Sequence, residues 1–104
     1  MRKTILKTNY QYPLEEDWSA ADIIAVTTFY RAVEDAYELP GGVAPDHVMA
    51  AYAEFKKVVP GKAQEKQLGR AFEQVSGYSL YQTVKAAREG GKRNLRMEQG
   101  GQHG

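Results

Sequence analysis

Apolar side chains recur at Ile23, Val26, Tyr30, Val33 and Tyr37, three or four positions apart, with Phe29 and Ala36 beside them. Thr27, Thr28, Arg31, Glu34, Asp35 and Glu38 fall on the opposite side, and only Ile24 breaks the pattern. A period near 3.6 puts one face of a helix in a core and the other in water, so this stretch predicts a helix over residues 20–38. Its start is marked as well. Ser19 can accept from the first free backbone donors, Asp22 can answer from the third helical position, and Trp18 and Ile23 have the spacing of a hydrophobic staple. Glu15, Glu16 and Asp17 then sit near the positive end of the helix dipole.

Leu39-Pro40-Gly41-Gly42 ends that helix, because proline cannot continue it and glycine tolerates left-handed backbone. A second helix is expected over 45–59: Pro45 and Asp46 suit its first turn, and Val48, Ala51, Tyr52, Phe55 and Val59 form its apolar face up to Pro60. A third follows at once over 62–76, with a narrow stripe of Leu68, Ala71, Phe72 and Val75, and with Gly77 as the glycine just past a helix end. Pro60-Gly61 must therefore make a tight corner. Ser79-Leu80-Tyr81-Gln82 opens a fourth helix over 80–89 with Leu80, Tyr81, Val84 and Ala87 apolar, closed by Gly90-Gly91.

No stretch alternates with period two and none repeats another. The expected fold is all-α, one domain over residues 10–90 with an N-terminal extension over 1–9. Tyr10 to Leu14 is expected to lay its aromatics over the helices. Residues 91–104 read as a flexible tail, since Leu95 and Met97 are lone apolar residues among glycines and charges. The facing stripes predict a core of Val26, Phe29, Tyr30, Val33, Tyr52, Phe55, Leu68, Phe72 and Val75.

Bulk composition narrows the classes without choosing among them. The 104 residues are 42% hydrophobic and 26% charged, an ordinary globular balance, and without cysteine there is neither a disulfide nor a thiolate metal site. No apolar run is long enough for a signal peptide or a membrane span, so a cytoplasmic protein with no membrane contact is expected. Net charge is +1, yet it is unevenly spread. From Leu14 to Glu54 nine acids face the single base Arg31, whereas from Phe55 onward ten bases face four acids. Opposite signs on neighbouring helices are expected to pair within the fold, with Glu34 and Glu38 nearest the bases of the third helix; the alternative is an interaction surface.

Three blocks carry a resemblance: Tyr12-Pro13-Leu14 leading to Asp17-Trp18-Ser19, then Phe55-Lys56-Lys57-Val58-Val59-Pro60, then Lys62-Ala63-Gln64-Glu65-Lys66-Gln67 with Ser76-Gly77-Tyr78-Ser79. In their order and spacing the chain resembles the YktA-like proteins, uncharacterised protein family 0223, from about Tyr10 to Glu89. The resemblance implies a small helical bacterial protein and no assigned activity.

Catalytic signals are weak. The histidines are His47, at a helix start, and His103, in the tail, and neither has the setting of a general base. Glu15-Glu16-Asp17 reads as a dipole complement and not as a cation site, and Pro60-Gly61-Lys62 lacks the first glycine, the following Ser or Thr and the strand of a phosphate loop. No metal and no cofactor are expected. Lys62, Lys66 and Arg70 stand in one column at spacing four, with Lys56 and Lys57 across the corner, and Lys85 to Arg96 could extend the patch. Tyr78 and Tyr81 add rings near it, of a kind favoured in interfaces. The leading expectation is a non-enzymatic module, monomer or weak homodimer, that binds another protein through Lys56, Lys57, Lys62, Lys66, Arg70, Tyr78 and Tyr81. Nucleic-acid binding through the basic second half is the alternative, and an enzyme of unrecognised type comes third.

Overall fold

A computed structural model describes residues 10–91 and 93–98. Among the described residues four helices follow one another: α1 (Ala20–Glu38), α2 (Pro45–Val58), α3 (Lys62–Ser76) and α4 (Leu80–Glu89). The all-α architecture and the helix limits match the expectation, α2 ending one residue early. Local chemistry sets those limits. Ser19 Oγ accepts from the Asp22 amide at 3.0 Å while Asp22 accepts from the Ser19 amide at 3.1 Å, a complete capping box on α1. Gly77 closes α3 with φ +84°, its amide donating to the Glu73 carbonyl at 2.8 Å, and Ser79 Oγ accepts from the Gln82 amide at 3.0 Å to start α4.

The core is an aromatic spine where the helices meet. Phe29 of α1 lies 4.8 Å, ring centroid to centroid, from Phe55 of α2, and Tyr30 stacks on Phe72 of α3 at 4.7 Å with planes 8° apart. All four rings are fully buried. The Tyr30 hydroxyl donates to the Pro13 carbonyl at 2.8 Å, so the one polar atom of that ring is satisfied and the N-terminal segment is held against α1. Tyr12 completes the cover, packing on Tyr30 and Phe72, as expected of residues 10–14. Val26, Val33, Val48, Val59, Leu68 and Val84 fill the space between.

Two members of the expected core lie elsewhere. Val75 is 42% exposed: it belongs to the last turn of α3, where the burial that covers Leu68 and Phe72 has ended. Tyr52 is half-buried, because its hydroxyl needs a partner and finds one outside the core.

The larger correction concerns the tail. Residues 93–98 cross the α1–α2 connection as a strap, Val43 and Leu95 forming an antiparallel bridge with amide-to-carbonyl distances of 2.9 and 2.6 Å. The Met97 amide donates to the Ala36 carbonyl at 2.8 Å, satisfying one of the acceptors a helix leaves free in its last turn. Leu95 and Met97 pack on the core from outside, and Asn94 Nδ2 reaches the Gly41 carbonyl at 3.2 Å. Gly42 makes the crossing possible, with φ +69° and a position where a Cβ would stand 2.1 Å from the Leu95 carbonyl oxygen. The expected extension over 1–9 and the tail from 99 to 104, with His103, lie outside the described residues.

Phe72→Ala should lower unfolding free energy by about 3–5 kcal/mol in urea titrations, because the ring is fully buried between helices. Gly42→Ala should strip hydrogen-exchange protection from the Leu95 and Met97 amides while leaving α1 and α2 protected. Unchanged protection would show that the strap does not depend on that close approach.

Candidate functional site: a basic cleft between three helices

The corner at Pro60-Gly61 turns α3 back beside the end of α2, and α4 closes the third side. Between them lies a cleft of about 440 Å³ lined by Tyr52 and Lys56 of α2, Lys62, Glu65 and Lys66 of α3, and Leu80, Tyr81, Val84, Lys85 and Arg88 of α4. Five cations and one carboxylate therefore surround an apolar floor of Leu80 and Val84. Tyr81 stands at the rim, 68% exposed, the most exposed large hydrophobic side chain among the described residues.

Glu65 organises the inner wall. One of its oxygens accepts from Lys56 Nζ at 2.6 Å and the other from the Tyr52 hydroxyl at 2.8 Å. The Lys56 and Glu65 side chains are each 27% exposed, and Lys56 also donates to the Pro60 carbonyl at 3.3 Å, which ties the corner together. Burial, and then the hydrogen bond to Glu65, push the Tyr52 hydroxyl up from 10.0 to about 12, with Arg88 pulling the other way. Around this internal pair, Lys62, Lys66 and Arg88 form no ion pair among the described residues, and Lys85 meets Glu89 only at 3.6 Å on an exposed flank. The first turn of α3 carries no side-chain cap at Gly61, so its free amides add positive potential at the Lys62 end.

Of the residues expected to form one surface, Lys56, Lys62, Lys66 and Tyr81 line the cleft. Lys57 does not: it pairs with Glu54 at 3.0 Å, an exposed i,i+3 contact worth little. Arg70 lies beyond the cleft with Ala71, Glu73 and Gln74 around a shallow depression. Tyr78 is buried, 8% exposed, stacked on Tyr37 at 4.3 Å, with its hydroxyl donating to Glu38 at 2.7 Å. Tyr52, Glu65, Leu80, Val84, Lys85 and Arg88 complete the cleft; of these, only Lys85 and Arg88 lie in a segment whose charge had drawn notice, Lys85 to Arg96.

The expected pairing of α3 bases with Glu34 and Glu38 gives way to tyrosines. Glu34 accepts from Tyr12 at 2.7 Å and from Tyr10, and Glu38 accepts from Tyr78. Burial, and then these carboxylates, hold the Tyr10, Tyr12 and Tyr78 hydroxyls above their ordinary acidity range, Tyr12 at about 12. His47 is exposed in the first turn of α2 and outside the cleft lining, and among the described residues no group of three or more His, Asp or Glu side chains could hold a metal. No helix among them is long and apolar enough to cross a membrane.

Residues 9–96 match the profile of the uncharacterised protein family UPF0223. The chain belongs to that family. A UPF0223 protein of Lactiplantibacillus plantarum is 53% identical over 87 residues, covering 84% of this chain and 88% of the relative. One from Lactococcus lactis is 50% identical over 88 residues, covering 85% and 92%, and one from Oceanobacillus iheyensis 45% over 89 residues, covering 86% and 99%. The earlier resemblance is thereby established over most of the chain, and none of these names assigns an activity.

Glu65→Gln should bring the Tyr52 pKa down from about 12 toward 10, burial alone keeping it above the ordinary value. NMR titration of the Tyr52 ζ-carbon measures this. Because the folded-state pKa is the higher one, the stabilisation linked to Tyr52 is fully present below pH 10 and is lost as pH rises toward 12. In Glu65→Gln the loss should begin at the same pH, since the unfolded-state pKa is unchanged, but be smaller and end at lower pH. A Tyr52 titration unaltered by the substitution would separate the hydroxyl from Glu65 electrostatically.

Proposed function

We propose that this protein is a non-enzymatic binding module whose basic cleft takes an acidic stretch of a partner protein. The observation that carries this reading is the convergence of five cations from three helices on an apolar floor, with Glu65 as the one carboxylate among them. Such a site attracts negative charge over a distance and gives an apolar side chain somewhere to settle, the combination found in protein recognition. A pocket of about 440 Å³ is also within the ordinary range for a bound ligand.

Two observations favour binding over catalysis. The tyrosine shifts run upward, away from the range where a hydroxyl could exchange protons near neutral pH, and the cleft lining holds no histidine. A duplex nucleic acid is a poorer fit than a peptide, since its charge is laid out along an extended rod and needs a broad basic face. Here Lys57 and Arg70 lie outside the cleft, and the cations within it are drawn together across three helices.

The triple variant Lys62→Glu, Lys66→Glu, Arg88→Glu should fold with stability within about 0.5 kcal/mol of the parent, because all three side chains are exposed and make no ion pair among the described residues. The parent should bind a glutamate-rich peptide in fluorescence anisotropy, more weakly as salt rises, and the variant should not. Equal or tighter binding of a DNA or RNA oligonucleotide of matched charge would favour the nucleic-acid reading.

A further inference from the structure

The cleft combines two features that bear on what its occupant must look like. Its charge is arranged as two rims: Lys62 and Lys66 on α3, one turn apart, and Lys85 and Arg88 on α4, also one turn apart. The lining also includes the edges of Leu80 and Val84, 6% and 5% exposed, and the Tyr81 ring, 68% exposed. The inner cation Lys56 is already committed, since Glu65 accepts its hydrogen bond at 2.6 Å and is held from the other side by Tyr52. A ligand therefore meets charge at the edges and apolar surface in the middle. Carboxylates alone would satisfy the rims and leave the floor and the Tyr81 ring wet.

We infer that the cleft is specific for an acidic peptide segment that carries one bulky apolar side chain between its carboxylates, and that Tyr81 is the residue that reads it. The apolar side chain settles against Leu80, Val84 and the face of Tyr81, while carboxylates on either side reach Lys62 and Lys66 across from Lys85 and Arg88. Glu65 acts as a built-in occupant of the inner wall: it keeps Lys56 from the ligand and thereby lowers affinity for anions that offer charge alone. Tyr81 suits the task because a large ring with a polar tip covers apolar surface while remaining compatible with water when the cleft is empty. This inference rests on the proposed function, and it fixes the partner chemistry within it.

Three fluorescein-labelled peptides of equal length and charge test it by anisotropy on the full chain: two acidic blocks separated by Leu, by Phe or by Gly. The Leu and Phe peptides should bind about tenfold tighter than the Gly peptide, the effect of burying one such side chain. Tyr81→Ala, at a 68% exposed position where folding is not at stake, should remove most of that difference while leaving the Gly peptide unaffected. Glu65→Gln should tighten the Gly peptide more than the Leu peptide. Equal affinity for all three peptides, or an unchanged preference in Tyr81→Ala, overturns the inference and leaves a purely electrostatic acidic-peptide site standing. Failure of every peptide to bind, in contrast with a bound oligonucleotide, overturns the proposed function itself.

Discussion

Three residues, Val59, Pro60 and Gly61, join α2 to α3, and that short reach governs the layout of the molecule. The chain can travel roughly 13 Å between the two helices at most, so α3 has to begin beside the end of α2. Pro60 cannot extend α2, and the Lys56 ammonium, held by both the Pro60 carbonyl and Glu65, fastens the corner once it has formed. With its beginning fixed there, α3 reaches the body of the protein through Leu68 and Phe72, and the stack of Phe72 on Tyr30 sets where it lies. The cleft is what remains between an anchored corner and α4. Its cations are neighbours because the backbone leaves them no other place.

Segregation of charge follows from the same packing. Glu34 and Glu38 of α1 accept from phenols on either side of it in sequence, Tyr10 and Tyr12 from before α1 and Tyr78 from between α3 and α4. A tyrosine–carboxylate hydrogen bond satisfies a half-buried acid without requiring a cation to be desolvated beside it. Lys62, Lys66 and Arg88 make no ion pair among the described residues, and Lys85 meets only Glu89.

The helices were legible because their signals are local: a stripe, a capping serine, a proline, a glycine. Lys62 and Lys66 were legible as a pair for the same reason, one turn of one helix apart. Extending the column to Arg70 failed on geometry, since each step of four residues drifts around the axis and Arg70 lies about 12 Å along it from Lys62. Lys57, about 100° round the helix from Lys56, faces another way. Glu65 and Tyr52 join the site only through helix packing, which no spacing within one helix encodes, and the same packing picks Lys85 and Arg88 out of the basic segment from Lys85 to Arg96. Tyr78 looked like a surface ring at a corner, but the turn through Gly77 swings it onto Tyr37. The strap was missed because two isolated apolar residues carry no period; what recruits them is a free carbonyl at the end of α1 and a glycine that lets Leu95 come close.

That strap also has a kinetic meaning. Its bridge joins Val43 to Leu95, positions separated by half of the 104-residue chain, whereas the α1–α2 hairpin beneath it closes over a short turn. Loop-closure entropy disfavours a contact between distant positions until the intervening helices have docked, so a strap of this separation is expected to form late in folding. Contacts made that late leave the folding rate almost untouched and act on the rate of unfolding. A strap that forms in that order would act as a latch on the finished domain, lengthening the lifetime of the native state while contributing little to how quickly it is reached.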